Sequence, residues 1–338
     1  MKRFAVLVFV LFLFTTLSLN ALTCTPTGFV RDGINMTAAV INPATTVTGQ
    51  VNATGCNIGV YIDGVDATID TAEIFGANYF GVVVNGDVGS PSASITNSNI
   101  HDIGELPLNG AQHGIGVYFR SFFVTGSARG KVSSDTFTNY QKGGIVAIGQ
   151  GVNVAISDNV VTGQGRVDYI AQNGIEIGYG ARASVMRNTV TGDAYIGTNN
   201  ASSGGIIVLG GAGYGICPDG NPCPYTVNTR ITENTVSDSD VGVWLSNADA
   251  SFNPPTSATN IKVVNNVLSN NFFSNVSGCG YPLGYQAGIS DEGNNDKIVA
   301  NSISGAGYSD TGSGGCGTFS IDATVTARAK VHANTITP

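Results

Sequence analysis

The sequence predicts an all-β chain wound as a single-stranded parallel β-helix, a solenoid of about ten coils with long lateral loops. Three observations carry that prediction. The tetrapeptide "NTIT" at 334–337 recurs as "NTVT" at 188–191 and "NTVS" at 234–237, inside a longer template with an apolar residue three before the polar one and another two after it. A second unit of period-two alternation, seen as "GVYI", "GVVV", "GIVA", "GIEI", "GIIV" and "GVWL", lies between successive copies of the first. From Ser98 to Asn334 the polar positions are 37, 24, 29, 46, 32, 35 and 33 residues apart, so short strands recur while the connections vary. Stacked helix pairs would need amphipathic segments of period 3.6 at a nearly constant interval, and neither is present.

At the N-terminus, Lys2 and Arg3 precede an apolar run from Phe4 to about Leu19 and a small residue, Ala21, the pattern of a secretion signal over residues 1–23. Thr15, Thr16 and Ser18 dilute a run already short for a bilayer, and no later segment is apolar enough to cross one. Residues 24–338 therefore read as one secreted β-helix domain with no transmembrane segment. "ALTC" also fits a lipoprotein cleavage box with Cys24 lipidated, a cell-surface alternative that leaves Cys56 without a partner. Outside the cytoplasm six cysteines read as three disulfides, and their positions suggest Cys24 with Cys56, Cys217 with Cys223, and Cys279 with Cys316. None has zinc-site spacing or a nearby histidine.

Weak copies at "TVTGQV" (46) and "ATIDTAEI" (67) open the repeats, and eight clear rungs follow, from "ASITNSNI" at 93 to "AKVHANTI" at 329. The first apolar position (Ile95, Val132, Ile156, Val185, Ile231, Val263, Ile298, Val331) and the second (Ile100, Phe137, Val161, Val190, Val236, Leu268, Ile303, Ile336) must face one core. The polar position (Ser98, Asp135, Asn159, Asn188, Asn234, Asn266, Asn301, Asn334) sits at the bend between them, where a side-chain amide can hydrogen-bond its counterpart one coil away. With 42% hydrophobic and 11% charged residues the chain can bury a large core. At roughly 4.8 Å per rung, ten rungs make a rod of about 45 Å.

The alternation of "GI.V" with "I..N.I" resembles the right-handed parallel β-helix repeat proteins of the pectate-lyase-like superfamily, over about residues 40–338. Handedness follows from that resemblance and from the general preference for right-handed crossovers. The superfamily includes polysaccharide lyases, glycoside hydrolases, epimerases, esterases, phage tailspikes and non-catalytic modules. The resemblance thus implies a secreted protein that binds or degrades extracellular polysaccharide in a lateral groove. No clear copy of the lyase or polygalacturonase catalytic motifs is present, which leaves a non-catalytic adhesive β-helix as the alternative.

Insertions cluster after the "NTIT" strand at 101–113, 163–173, 192–203, 270–286 and 304–316 and after the "GI.V" strand at 119–130, 210–228 and 246–259, which places a groove near rungs four to eight. Glu176 is the one carboxylate at an outward position of a regular "GI.V" strand, flanked by Val146 and Ile207 with Trp244 one rung further. It reads as a general acid or base, or as an exposed strand glutamate. Trp244 reads as a sugar-stacking platform or as an aromatic covered by the 246–259 loop. The segment 163–187 gathers Arg166, Tyr169, Tyr179 and Arg182, and His113 and Arg120 lie about two coils earlier. As in the superfamily's lyases, Arg166, Arg182 or His113 would act on the substrate proton, with Tyr169, Tyr179 and Arg120 binding substrate. Asp291 falls where other coils place Val117, Ile177, Val208 and Leu245; with Glu292 and Asp296 it suits either a Ca²⁺ site or a polar turn.

The formal charge is −8, and −10 once Lys2 and Arg3 are removed, which disfavours nucleic acid or an anionic membrane as partner. The residue after each second core position is a hydroxyl in seven consecutive coils, from Thr138 to Thr337. That file resembles the Thr-x-Thr face of β-helical ice-binding proteins, the third functional expectation.

Overall fold

A computed structural model describes residues 23–123, 125–199, 201–249, 251, 253–273, 285–310 and 317–337. The segment expected to be a secretion signal, up to Leu22, and Cys279 and Cys316 lie outside the described residues. Within them the chain is all-β, and two long sheets dominate it.

The "GI.V" units form the first sheet, of eleven strands. Its opening pair, Thr25–Arg31 and Ile34–Ile41, is antiparallel. Every later strand, from Ile58–Asp63 to Thr318–Asp322, pairs in parallel with the strand one repeat away. The glycine of each unit has a steric cause: a Cβ on Gly144 would lie 2.7 Å from the carbonyl oxygen of Gly174 and 2.5 Å from Cγ1 of Val161. Any side chain there would push neighbouring strands away from each other.

The "NTIT" units form the second sheet, of eighteen strands, with two strands per rung from Ser92–Thr96 and Asn99–Ile103 onward. Register follows the sequence template position by position. Val185 pairs with Ile156 and Ile231, and Val190 with Val161 and Val236. Both apolar files are fully buried from Ile95 to Ile303 and share one core cluster with Val117, Ile145, Ile175 and Val208 of the first sheet. In the last rung Val331 and Ile336 have a paired strand on one side only and are 43% and 47% exposed.

Between the two strands of each rung the backbone bends through a left-handed residue, with φ between 53° and 62° at Asn97, Ser134, Asp158, Arg187, Glu233, Asn265, Ala300 and Ala333. All of these residues carry a Cβ, so each bend is strained. A file of buried amides compensates. Asn188 Oδ1 accepts from the backbone N–H and Nδ2 of Asn159 at 3.1 and 2.8 Å, while Asn188 Nδ2 donates to Ile156 O and Asn234 Oδ1 at 3.1 and 3.0 Å. The pattern continues through Asn266 and Asn301 to Asn334, each amide pair 2.9 Å apart. The predicted ladder is therefore present, and it satisfies bend backbone groups that the strands cannot reach.

Two of the three expected disulfides, Cys24–Cys56 and Cys217–Cys223, are formed. Asp291, the residue that breaks the "GI.V" pattern, ends its strand and is buried opposite Leu245. No helix among the described residues is long and apolar enough to cross a membrane.

Candidate functional site

Strand alternation sends every second residue of the first sheet outward. In register these residues are Tyr61, Val83, Tyr118, Val146, Glu176, Ile207, Trp244, Ser290 and Asp322. The middle of this file floors a cleft of about 570 Å³. Its walls are the loops predicted to build a groove, including the stretch closed by Cys217–Cys223. A second cleft of about 340 Å³ continues along the same face and shares Trp244, Ala201 and Ser202 with the first.

Glu176 is half-buried in the floor, and its Oε2 accepts from Asn173 Nδ2 at 2.9 Å. Lys142 enters the same cleft from the turn before the Gly143–Ile148 strand and donates through Nζ to Ala171 O at 2.7 Å. Burial lowers the Lys142 pKa, and the carboxylates of Glu176 and Asp193 pull it partway back. A cation and a carboxylate thus face one cavity with apolar walls. The Tyr118 hydroxyl, also at the cleft, is buried with no hydrogen-bond partner among the described residues. Tyr179 meets Tyr214 edge-on at 5.9 Å, and burial raises both phenols' pKa.

Trp244 is half-buried where the two clefts meet, and its ring is held in place. Its Nε1 donates to Glu292 Oε1 at 3.1 Å, and Glu292 Oε2 accepts from Ser246 Oγ at 3.0 Å, which in turn accepts from Tyr214 OH at 2.7 Å. Burial raises the Glu292 pKa, and the indole N–H opposes it. Glu292 is therefore a positioning group for the indole.

The structure separates several residues that the sequence groups. Arg166 and Arg182 belong to strands of the second sheet and are exposed; Arg166 donates to Phe273 O at 3.0 Å and lies over the Phe272 ring. His113 is buried, stacked on Tyr79 at 3.8 Å, and bonded to Glu105 Oε1 at 2.9 Å. Tyr169 bonds Gln164 Oε1 at 2.6 Å. Arg120 is buried in a different cavity, of about 870 Å³, where it lies between Phe29 and Phe122 and pairs with Asp87. Of the catalytic and substrate-binding candidates, Glu176, Tyr179 and Trp244 share the cleft.

Asp291 and Glu292 both line the smaller cleft, but the Glu292 carboxylate is taken up by Trp244 and Ser246. Asp291 accepts from Gly293 N–H and Thr326 Oγ1, and Asp296 from Thr259 Oγ1 and Ile261 N–H. Burial and the neighbouring Asp291 carboxyl push the Asp296 pKa up to about 8. Among the described residues no three His, Cys, Asp or Glu side chains are grouped to hold a metal ion.

Lys142, Asn173 and Tyr214 are among the cleft residues that sequence reading misses. Each lies at a strand edge or in an insertion, where the repeat template assigns no direction. No family model matches the chain, and no curated protein sequence matches it.

Proposed function

We propose that the chain is a secreted, right-handed, single-stranded parallel β-helix whose lateral cleft binds extracellular polysaccharide. The right hand is the reading favoured by the crossover preference of parallel strands. The observation that carries the functional reading is the cleft floor: an indole locked by Glu292 beside Glu176, Asn173 and Lys142, with Tyr179 and Tyr214 at its edge. Aromatic faces for the C–H side of a sugar, with a few aimed polar groups for its hydroxyls, are the chemistry of a carbohydrate site. Cleavage within this cleft would rest on Glu176 and Lys142 as the proton-handling pair, because Arg166, Arg182 and His113 stand elsewhere.

Trp244 is the single tryptophan of the chain, so its fluorescence reports on this cleft directly. Titration with a panel of neutral and acidic oligosaccharides is expected to shift or quench the emission, and Tyr179→Ala to weaken the response. An emission unchanged by every member of the panel would remove the reading. Reducing-end release that is lost in Glu176→Gln marks an enzyme, and binding without release marks the adhesive alternative.

A second reading, ice binding, is favoured by register alone. Thr138, Thr162, Thr191, Ser237, Ser269, Ser304 and Thr337 stand in one file, in which Ser237 Oγ donates to Thr191 Oγ1 at 2.8 Å. Thermal hysteresis abolished by Thr162→Tyr and Thr191→Tyr tests it.

A further inference from the structure

We infer that the outer face of the second sheet carries a docking file for a linear anionic polysaccharide, formed by Arg230, Lys262, Lys297 and Lys330. These four residues are in direct parallel register, each exposed on the strand that precedes the amide ladder. Their backbone positions step by one interstrand distance, so the file spans three steps, about 14 Å. Lys131 occupies the same register further up, separated from them by Ala155 and Ser184. Of the five lysines among the described residues, three stand in this file and Lys131 in its register, and Lys142 is the fifth.

The arrangement runs against stability, since like charges directly opposite one another destabilise a sheet. Compensation is sparse. No carboxylate among the described residues forms an ion pair with any of the four side chains. The left-handed turn residues that follow them are Glu233, Asn265, Ala300 and Ala333, so one of the four rungs carries a nearby acid at that position. Two residues before the cations stand Asn228, Asn260, Asn295 and Arg328, all left-handed, with Asn295 Nδ2 donating to Asn260 Oδ1 at 2.7 Å and the Arg328 guanidinium donating to Asn294 Oδ1. An amide file therefore runs beside the cation file.

Charge complementarity selects a polyanion, and the shape of the file selects its kind. One side chain wide and straight, it fits a single polymer strand with one acidic group per sugar and hydroxyls for the adjacent amides. Single-stranded nucleic acid needs a run of aromatic side chains on which successive bases stack, and the positions two after the cations are Thr232, Val264, Val299 and His332, one ring in four. A duplex carries denser charge on two strands, which an otherwise acidic protein repels.

The test measures binding of the intact protein to immobilised alginate, dextran sulfate, neutral dextran and single-stranded oligothymidylate across a salt series. Retention is expected on alginate, dextran sulfate or both, and their order tells a carboxylate from a sulfate ligand. The triple variant Lys262→Gln, Lys297→Gln, Lys330→Gln should lose about tenfold or more in affinity and flatten the log–log salt slope by about two. Trp244→Phe should leave the log–log salt slope of this binding unchanged, which separates the file from the cleft. The inference fails if the folded triple variant binds as the parent does, if Trp244→Phe abolishes the binding, or if oligothymidylate binds more tightly than either acidic polysaccharide.

Discussion

Replacing Asp135 by asparagine should stabilise the protein at neutral pH and change little in acid. Asp135 occupies a ladder position at which the following rungs carry asparagine, and it is 1% exposed. Its Oδ1 accepts the Ser98 N–H at 2.7 Å, as a ladder oxygen should, but Oδ2 is buried with no partner. One rung on, the corresponding atom is Asn159 Nδ2, which donates to Val132 O at 3.0 Å and to Asn188 Oδ1 at 2.8 Å. A carboxylate oxygen can make neither bond unless protonated. Burial accordingly pushes the Asp135 pKa from 3.8 up to about 7, against the backbone donors that favour its anion. The raised folded-state pKa means that the folded protein holds a proton the unfolded chain has released. Stability therefore falls as pH rises from about 4 to about 7 and is level outside that window. A displacement of about three pH units is worth about 4 kcal/mol at most, and relaxation around the site reduces it, so Asp135→Asn should gain about 2–4 kcal/mol at pH 8. At pH 4 the gain should be about 1 kcal/mol, one recovered hydrogen bond. Urea midpoints of both proteins at pH 4, 6 and 8 measure the difference. A gain that is the same at pH 4 and pH 8 would refute the argument, because it would mean that Asp135 does not change its charge within the window.

Truncating Asn234 to alanine removes partners from Asn188, Asn266 and Val185 at once, and should cost about 3 kcal/mol or more in a denaturant titration. A loss below about 1 kcal/mol would show that water replaces the ladder. Asp296→Asn should raise stability at pH 9 more than at pH 5, since a carboxyl that the fold keeps protonated up to about pH 8 makes stability fall from about pH 4 to about pH 8 and stay level above that. Equal melting shifts at the two pH values would contradict this. Removing Cys24–Cys56, which closes 32 residues, should cost about 4 kcal/mol by the chain-entropy argument, against about 2 kcal/mol for Cys217–Cys223, which closes 6. Melting of the two Cys→Ser pairs provides the comparison, and the reverse order would indicate that loop closure is not the source.

Strand order and register were legible in the sequence because a period-two pattern stacked rung on rung leaves one way to bury Ile95 through Ile303 together. The same logic made the file Val146, Glu176, Ile207 and Trp244 readable before any coordinates. It failed for Arg166 and Arg182. They are close to Glu176 along the chain, yet their strands belong to the other sheet, so proximity in sequence does not become proximity in space. It failed also for Glu292, read as a cation ligand and found holding the Trp244 indole. The net charge gives no sign of the four cations brought into register, because a total carries no position.

Composition and repeat by themselves determined that this chain is all-β, which residues face the core, and that a buried amide file spans the bends. Those features depend on alternation and on unmet backbone hydrogen bonds, which are local properties repeated along the chain. Which polar side chains share a cleft was decided only in three dimensions. The loops that bring Lys142, Asn173 and Tyr214 to Glu176 and Trp244 follow no period, and their paths are set by packing across rungs distant in sequence.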